Sequence, residues 1–231
     1  MKSIFWHLVF LSLGLGTVSC TAVKPQQWEM HSVSDIGGAA AQVLGAPQVL
    51  GAPQVVQTQD GQTAVAFDGV KDGLLVAANP IAGAAEFSIE VVFKPKDAWP
   101  ANAEQRFLHI EDPANPNRRI LLELRLNNRK QWYADFFLRT ETASLTLLDS
   151  TKTHPVGEWA TMTLSYQNGQ LKGYVNGKLE VSGEIDYQPI AGTAKTSLGT
   201  RMDKRSWFNG EIRRVRFWHR ALQPKKYSDY L

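Results

Sequence analysis

The chain has 231 residues, of which 43% are hydrophobic and 20% are charged, a composition typical of a globular protein rather than of a disordered or multi-span membrane protein. The 25 Lys and Arg residues nearly balance the 22 Asp and Glu residues, giving a formal net charge of +3, which argues against a dedicated nucleic-acid-binding protein. The single cysteine excludes any disulfide within the chain, so the fold must be stabilised by a packed core.

The first segment of the chain, residues 1–19, has the layout of a secretory signal peptide. Lys2 precedes an apolar stretch over 4–15 that is too short to span a bilayer, and small residues follow it. Cys20 comes directly after Ser19, an arrangement similar to the lipobox of bacterial lipoproteins. We therefore expect an exported domain that is tethered to a membrane of the bacterial envelope, the outer membrane or the cell surface, through a lipid on Cys20. The alternative is an ordinary secreted protein in which Cys20 is incidental.

Residues 20–42 are mixed in character and are predicted to form a lipidated N-terminus and tether or a first edge strand. A direct duplication follows, in which VLGAPQ occurs at 43–48 and again at 49–54. Two copies are too few for a solenoid, and proline is restricted to sheet margins, so we interpret them as a duplicated loop or edge segment. The folded domain is predicted to extend over 43–231.

From residue 63 onward the sequence alternates with period two, and turn-forming pairs such as Asn168-Gly169 and Asn176-Gly177 separate the runs. No sustained 3.6-residue apolar stripe is present, and only a short turn near 223–227 is expected to be helical. The sequence therefore predicts an all-β chain folded as a two-sheet antiparallel β-sandwich or jelly roll. The predicted strands are 63–67, 73–77, 86–94, 105–111, 119–127, 131–139, 144–149, 159–166, 171–175, 179–182, 195–200 and 211–218.

Five strings in this part of the chain are AFDGVKDGL at 66–74, FSIEVVFKP at 87–95, GEW at 157–159, LKGYVNGK at 171–178 and FNGEIRRVRF at 208–217. In this order they resemble the concanavalin A-like, or LamG-like, jelly-roll family. The resemblance implies a jelly-roll domain that binds a glycan or a protein or, less often, a glycosidase or lyase on the same scaffold. It also implies a ligand cleft on the concave sheet.

Three neighbouring predicted strands between 105 and 139 each place polar side chains on one alternating face and apolar side chains on the other. Phe107 is predicted to share the polar face with His109 and Glu111. Charged groups and aromatic rings on one sheet face suit sugars, because rings stack on sugar C–H groups while carboxylates and guanidinium groups bind hydroxyls. The alternative is a solvated ladder of cross-strand salt bridges. The predicted ligand-binding residues are His109, Glu123, Arg125, Tyr133, Asp135 and Arg139.

The hairpin between the second and third of these strands leaves two registers open. A three-residue loop at 128–130 places Glu123 opposite Asp135, which would juxtapose two carboxylates that could act as acid and base in glycoside cleavage. A shift of the pairing by two residues places Arg125 opposite Asp135 instead and merely neutralises the charge. Both registers keep every side chain on its predicted face, so the sequence does not choose between them.

Metal sites have weak signals in the sequence. His109 with neighbouring carboxylates lacks the spacing of a zinc site. Structural calcium is the cofactor that the family resemblance implies, with Asp68 and Asp72 as candidate ligands, although their Asp-Gly pairs would look the same in plain turns.

The basic and aromatic loop over 201–209 is interpreted as a hairpin with Trp207 packed down, and the alternative is a grip on an acidic polysaccharide or an anionic surface.

The sequence thus supports three functional hypotheses. The leading one is an exported carbohydrate-binding domain whose partner is a glycan or polysaccharide and not a nucleic acid. The second is a glycoside hydrolase or polysaccharide lyase that uses the same face, with Glu123 and Asp135 as catalytic residues. The third is an adhesion or scaffold module of the cell envelope.

Overall fold

The structure, a computed structural model, describes residues 25–44 and 52–223, and these form seventeen β-strands. The predicted signal peptide, Cys20 and most of the expected turn near 223–227 lie outside the described residues. The strands are β1 Gln26–Glu29, β2 Asp35–Ile36, β3 Ala39–Leu44, β4 Gln54–Gln57, β5 Thr63–Asp68, β6 Gly73–Val76, β7 Phe87–Pro95, β8 Glu104–Asp112, β9 Asn115–Leu126, β10 Gln131–Arg139, β11 Ser144–Leu148, β12 His154–Pro155, β13 Ala160–Gln167, β14 Gln170–Val175, β15 Lys178–Glu184, β16 Lys195–Leu198 and β17 Asn209–Trp218.

The strands form two antiparallel sheets, which confirms the predicted sandwich. The first sheet has the order β15-β14-β13-β7-β17-β5-β4, and β1 pairs with β17 beyond β5. The second sheet has the order β11-β10-β9-β8-β16-β6-β3-β2, and β12 pairs with β10. Every strand predicted from residue 63 onward is present. Among the described residues no helix is long and apolar enough to cross a membrane.

The tight turns form where the sequence predicts them. Asn168-Gly169 joins β13 to β14 and Asn176-Gly177 joins β14 to β15, and all four residues have positive φ between 48° and 80°. Asn and Gly adopt this conformation at low cost, and it gives the twist that a two-residue hairpin needs. The two turns fix the register of three consecutive strands in the first sheet.

Four strands of the described chain precede residue 63, in the segments for which the sequence left a tether, an edge strand or a loop open. In β1, Trp28 is fully buried, and its ring meets Phe217 of β17 edge-on at 4.8 Å. The duplicated segment starts in β3 of the second sheet and ends at Gln54 in β4, the edge strand of the first sheet. Residues 45–51, between these two strands, lie outside the described residues.

The core lies between the sheets and is rich in aromatic rings. Phe93 of the first sheet stacks on Phe107 of the second at 4.6 Å and meets Trp132 edge-on at 5.1 Å. Phe208 packs against Phe93 and Phe107 from the end of the last loop. Such ring pairs contribute about 0.5–1.5 kcal/mol each beyond the area they bury, so the two sheets are held in one fixed relation.

Gly173 on β14 allows the two sheets to approach closely. A Cβ atom at this position would lie 2.3 Å from Cε2 of Phe136 in the second sheet. We expect Gly173→Ala to lower the free energy of unfolding by about 1–3 kcal/mol, because the core must shift to accept the methyl group. The matched control is Gly192→Ala, whose Cβ would have its nearest neighbour at 4.0 Å. Urea unfolding of both variants measures the difference, and equal stability would contradict this packing.

Candidate functional site

The turn between β9 and β10 sets the register of the candidate site. The Asn127 amide donates to the Gln131 carbonyl at 2.9 Å, which leaves a three-residue loop, and Lys130 closes it with φ of 56°. A left-handed residue at this position is typical of three-residue hairpins. Glu123 consequently lies directly opposite Asp135. Of the two registers that the sequence leaves open, the structure has the one that juxtaposes carboxylates.

The side chains of β9 and β10 alternate between core and surface as predicted. The even-numbered residues from Ile120 to Leu126 and from Trp132 to Leu138 belong to the core. The odd-numbered residues form a surface on the outside of the second sheet, which we call the polar face. Its members on these strands are Arg119, Leu121, Glu123, Arg125, Tyr133, Asp135, Phe137 and Arg139.

Strand β8 departs from the predicted alternation. The prediction that Phe107 lies on the polar face is wrong, because a bulge occurs between Arg106 and Leu108. Phe107 is the extra residue in this bulge, and its ring is fully buried in the core against Phe93. A bulge puts two residues of one strand opposite one of the next, which shifts the alternation by one position. Arg106 therefore replaces Phe107 as the neighbour of Glu123.

Each of the two opposed carboxylates has its own arginine. Arg106 Nε lies 3.1 Å from Glu123 Oε2, and Arg125 Nε lies 2.8 Å from Asp135 Oδ2. Arg125 also contacts Glu104. The Arg125–Asp135 pair is diagonal across the strands, because a long side chain reaches past its direct neighbour. The structure thus combines the opposed carboxylates of one predicted register with the neutralising ion pair of the other.

Burial dominates the titration of the two carboxyl groups. Glu123 is 6% exposed and Asp135 is 1% exposed. Desolvation raises the pKa of Glu123 to about 7, and the charge of Asp135 adds to this effect while Arg106 opposes it. Desolvation also raises the pKa of Asp135, against the effect of the Arg125 ion pair. Near neutral pH the site can therefore hold a proton on Glu123.

His109 is separated from the other predicted site residues. Its side chain is 1% exposed, and the Met202 backbone amide donates to its Nδ1 at 3.2 Å. Its Nε2 lies 3.2 Å from Glu111 Oε2 and carries the proton, since Nδ1 accepts. Burial lowers the pKa of His109, which favours the neutral ring. The loop that contains Met202 covers the ring, so a ligand on the polar face does not reach it.

A pocket of about 210 Å³ opens on the polar face. Three of the six predicted ligand-binding residues line it, namely Glu123, Arg125 and Asp135, while Tyr133 and Arg139 lie beside it on the same face. If the period-two alternation of β9 is continued from Leu121 toward the start of the strand, it predicts Arg119 as a further residue of the pocket lining. Arg201 also lines the pocket and comes from the loop for which the sequence left an acidic ligand open. The lining residues that the sequence did not single out as ligand-binding are Arg106, Arg119, Leu121, Phe137 and Thr146.

The loop before β17 supplies Arg201 to this pocket from a distant part of the chain. The Arg106 amide donates to the Ser206 carbonyl at 2.9 Å, so the loop lies along β8. Trp207 is half-buried, and a Cβ on Gly73 would lie 3.2 Å from its ring. Trp207 is thus packed down as predicted, while the grip on an acidic polysaccharide or an anionic surface stays a prediction.

Asp68 and Asp72 form a turn between β5 and β6. Asp68 Oδ1 accepts hydrogen bonds from the backbone amides of Val70, Lys71 and Asp72 at 2.9–3.0 Å. Asp72 Oδ2 accepts from the Asp68 amide at 3.2 Å, and burial raises the pKa of Asp72 to about 6. No group of three or more His, Cys, Asp or Glu side chains that could hold a metal ion is found here or elsewhere in the described part of the chain. The contacts are those of an Asx turn, and calcium binding stays a prediction.

Comparison with known proteins assigns the family. The profile described as the Concanavalin A-like lectin/glucanases superfamily matches residues 68–226. The match covers more than half of the chain, which therefore belongs to this superfamily, and the resemblance drawn from the sequence motifs is confirmed. A search of curated proteins found no match.

Several solved structures share the fold at low sequence identity. Domain 4 of AbnA, a GH43 extracellular arabinanase from Geobacillus stearothermophilus in complex with arabinotriose, superimposes with a TM-score of 0.64 at 18% identity over 89% of this chain and 98% of its own. The CBM40 of the Ruminococcus gnavus IT-sialidase bound to α2,3 sialyllactose has a TM-score of 0.51 at 19% identity over 69% of this chain and 91% of its own. The botulinum neurotoxin serotype D binding domain has a TM-score of 0.58 at 16% identity over 86% of this chain and 48% of its own.

The raised pKa of Glu123 predicts a pH-dependent stability. Between the usual pKa of 4.5 and about 7, the folded protein retains a proton on Glu123 that the unfolded chain releases. The contribution of this group to the free energy of unfolding therefore falls as the pH rises through this window. We expect wild type to lose on the order of 1–3 kcal/mol relative to Glu123→Gln between about pH 5 and about pH 8. Thermal unfolding of both proteins across this range is the measurement, and a constant difference would contradict the assignment.

Proposed function

We propose that this domain binds carbohydrate in the pocket on the polar face. The observation that carries the proposal is a pocket that combines the Phe137 ring with the ion pairs Arg106–Glu123 and Arg125–Asp135 on two adjacent strands. The ring offers an apolar surface for sugar C–H groups, and the charged groups offer donors and acceptors for hydroxyls.

The ion pairs hold these groups in place before a ligand arrives. An arginine bound to a buried carboxylate has lost most of its rotamer freedom, so a ligand has less entropy to remove on binding. The superfamily and the arabinotriose and sialyllactose complexes of its structural neighbours support the same proposal.

The proposal predicts that binding depends on Phe137. We expect Phe137→Ala to weaken the retained glycan at least about tenfold, because the ring is half-buried in the pocket and outside the core. The matched control is Leu148→Ala, which removes a 42% exposed side chain of β11 that does not line the pocket.

A glycan array with the full chain, followed by calorimetry on the retained glycan, is the measurement. Equal losses in both variants would place the ligand elsewhere. Absence of any retained glycan would favour the third hypothesis, an adhesion or scaffold module.

A second candidate function, glycoside cleavage, is favoured by the titration of the opposed carboxyl groups. A carboxyl group whose pKa is raised to about 7 can act as a general acid at neutral pH, and Asp135 lies directly opposite Glu123 as the second carboxylate. Both carboxyl groups line the pocket, and Asp135 is held there by its ion pair with Arg125.

Product analysis distinguishes binding from cleavage. The retained glycan is incubated with wild type and with Glu123→Gln, and shortened oligosaccharides are sought by mass spectrometry. Binding without cleavage predicts intact glycan in both reactions. Products formed by wild type and reduced at least about a hundredfold in the variant would establish cleavage instead.

We also propose that the domain is exported and tethered to the envelope through Cys20. Support comes from the sequence of residues 1–20 alone, where a short apolar stretch precedes the cysteine. In the described part of the chain, β1 begins at Gln26, so only a few residues separate Cys20 from the first sheet. A lipid at Cys20 would therefore hold the domain close to the membrane surface.

A further inference from the structure

Positive charge exceeds negative charge in the pocket on the polar face. Four arginines and two carboxylates line it. Arg106 and Arg125 are bound to the two carboxylates. Arg119 and Arg201 therefore remain in the lining without a lining carboxylate as partner.

Arg119 has a second cation beside it. Arg139 lies directly opposite on β10, and like charges in this position repel. Arg119 Nη1 donates to the Pro116 carbonyl at 2.6 Å, whereas its buried Nε has no hydrogen-bond partner in the described structure. Glu111, its neighbour on β8, is already engaged by the buried histidine. The Arg119 guanidinium lies 5.3 Å from the centre of the Phe137 ring.

The other two arginines are also incompletely neutralised. Arg201 Nε lies 3.5 Å from Asp203 Oδ1, but Arg205 Nε binds the same carboxylate more closely, at 2.7 Å. Within the described ranges, Arg139 has no carboxylate at ion-pair distance. Burial lowers the pKa of the Arg119 guanidinium, and the charges of Arg201 and Arg139 lower it further. Arg201 and Arg139 are therefore each close enough to Arg119 to interact with it.

We propose that the ligand of this pocket is an acidic glycan whose anionic group, a carboxylate or a sulfate, is held by Arg119, Arg139 and Arg201. This inference rests on the proposed carbohydrate-binding function and names its ligand class. Guanidinium groups bind such oxyanions with two parallel hydrogen bonds, and an anion here would relieve the repulsion between the arginines. Phe137 lies beside Arg119 to receive the sugar ring. At about 210 Å³ the pocket is smaller than common small-molecule sites of roughly 300–1,000 Å³, so it takes one charged unit of a chain.

Matched acidic and neutral glycans test the ligand class. Oligogalacturonides and their methyl esters test the carboxylate, and carrageenan oligosaccharides and their desulfated forms test the sulfate, each titrated into the full chain by calorimetry. We expect one acidic form to bind at least about tenfold more tightly than its neutral partner, with an affinity that falls as salt is added.

Two arginine variants locate the anion. Arg139→Gln is expected to remove the preference for the acidic form, and its Tm should equal or exceed that of wild type because a like-charge contact is lost. The matched control, Arg129→Gln, removes the same charge from an exposed turn residue outside the pocket and should retain the preference.

Each other outcome has a distinct meaning. Equal affinity for acidic and neutral forms overturns the inference and leaves carbohydrate binding standing. If the preference for the acidic form survives Arg139→Gln, or if Arg129→Gln removes it equally, the assignment of the anion to Arg119, Arg139 and Arg201 is overturned. If no glycan on the broader array is bound either, carbohydrate binding itself fails and the inference fails with it.

Discussion

The pairing of β9 with β10 is the constraint on which the polar face depends. A slip of one residue would turn every side chain of β10 to the opposite face and carry Trp132 and Phe136 out of the core. The aromatic core and the three-residue turn that ends at Lys130 specify the same register. Local turn geometry and core packing therefore agree, and they place Glu123 opposite Asp135 although the two carboxylate charges repel each other.

The polar face contains two buried carboxyl groups, and burial disfavours their charged forms. Arg106 and Arg125 offset part of this cost by direct ion pairs, and removing either arginine would leave a buried charge without compensation. Such an arrangement is not required for a stable sheet surface, since apolar or exposed side chains would avoid the desolvation free energy of buried charges. Charged groups that are buried, paired and gathered in one pocket are a feature that binding and catalytic sites share.

The fold could be predicted from the sequence more completely than the site. Alternation and Asn-Gly turns are local signals, and they gave the strands from residue 63 onward. The strands before that point are short, and Trp28 finds its partner on the last strand, which no local pattern shows. Within the site, β9 and β10 followed the predicted alternation. The bulge at Phe107 interrupts it in β8, because the burial of a large ring against Phe93 outweighs a regular ladder.

The pairing of β1 with β17 joins the beginning of the described chain to its end, with Gln26 opposite Phe217. Contacts of such high sequence separation require the intervening chain to be ordered first, which makes folding slow compared with that of helical domains. The first sheet also lacks a central strand until β17 has been synthesised, since β17 lies between β7 and β5. This sheet is therefore complete only once β17 is available to pair with both β7 and β5, so its formation depends on the last strand of the described chain.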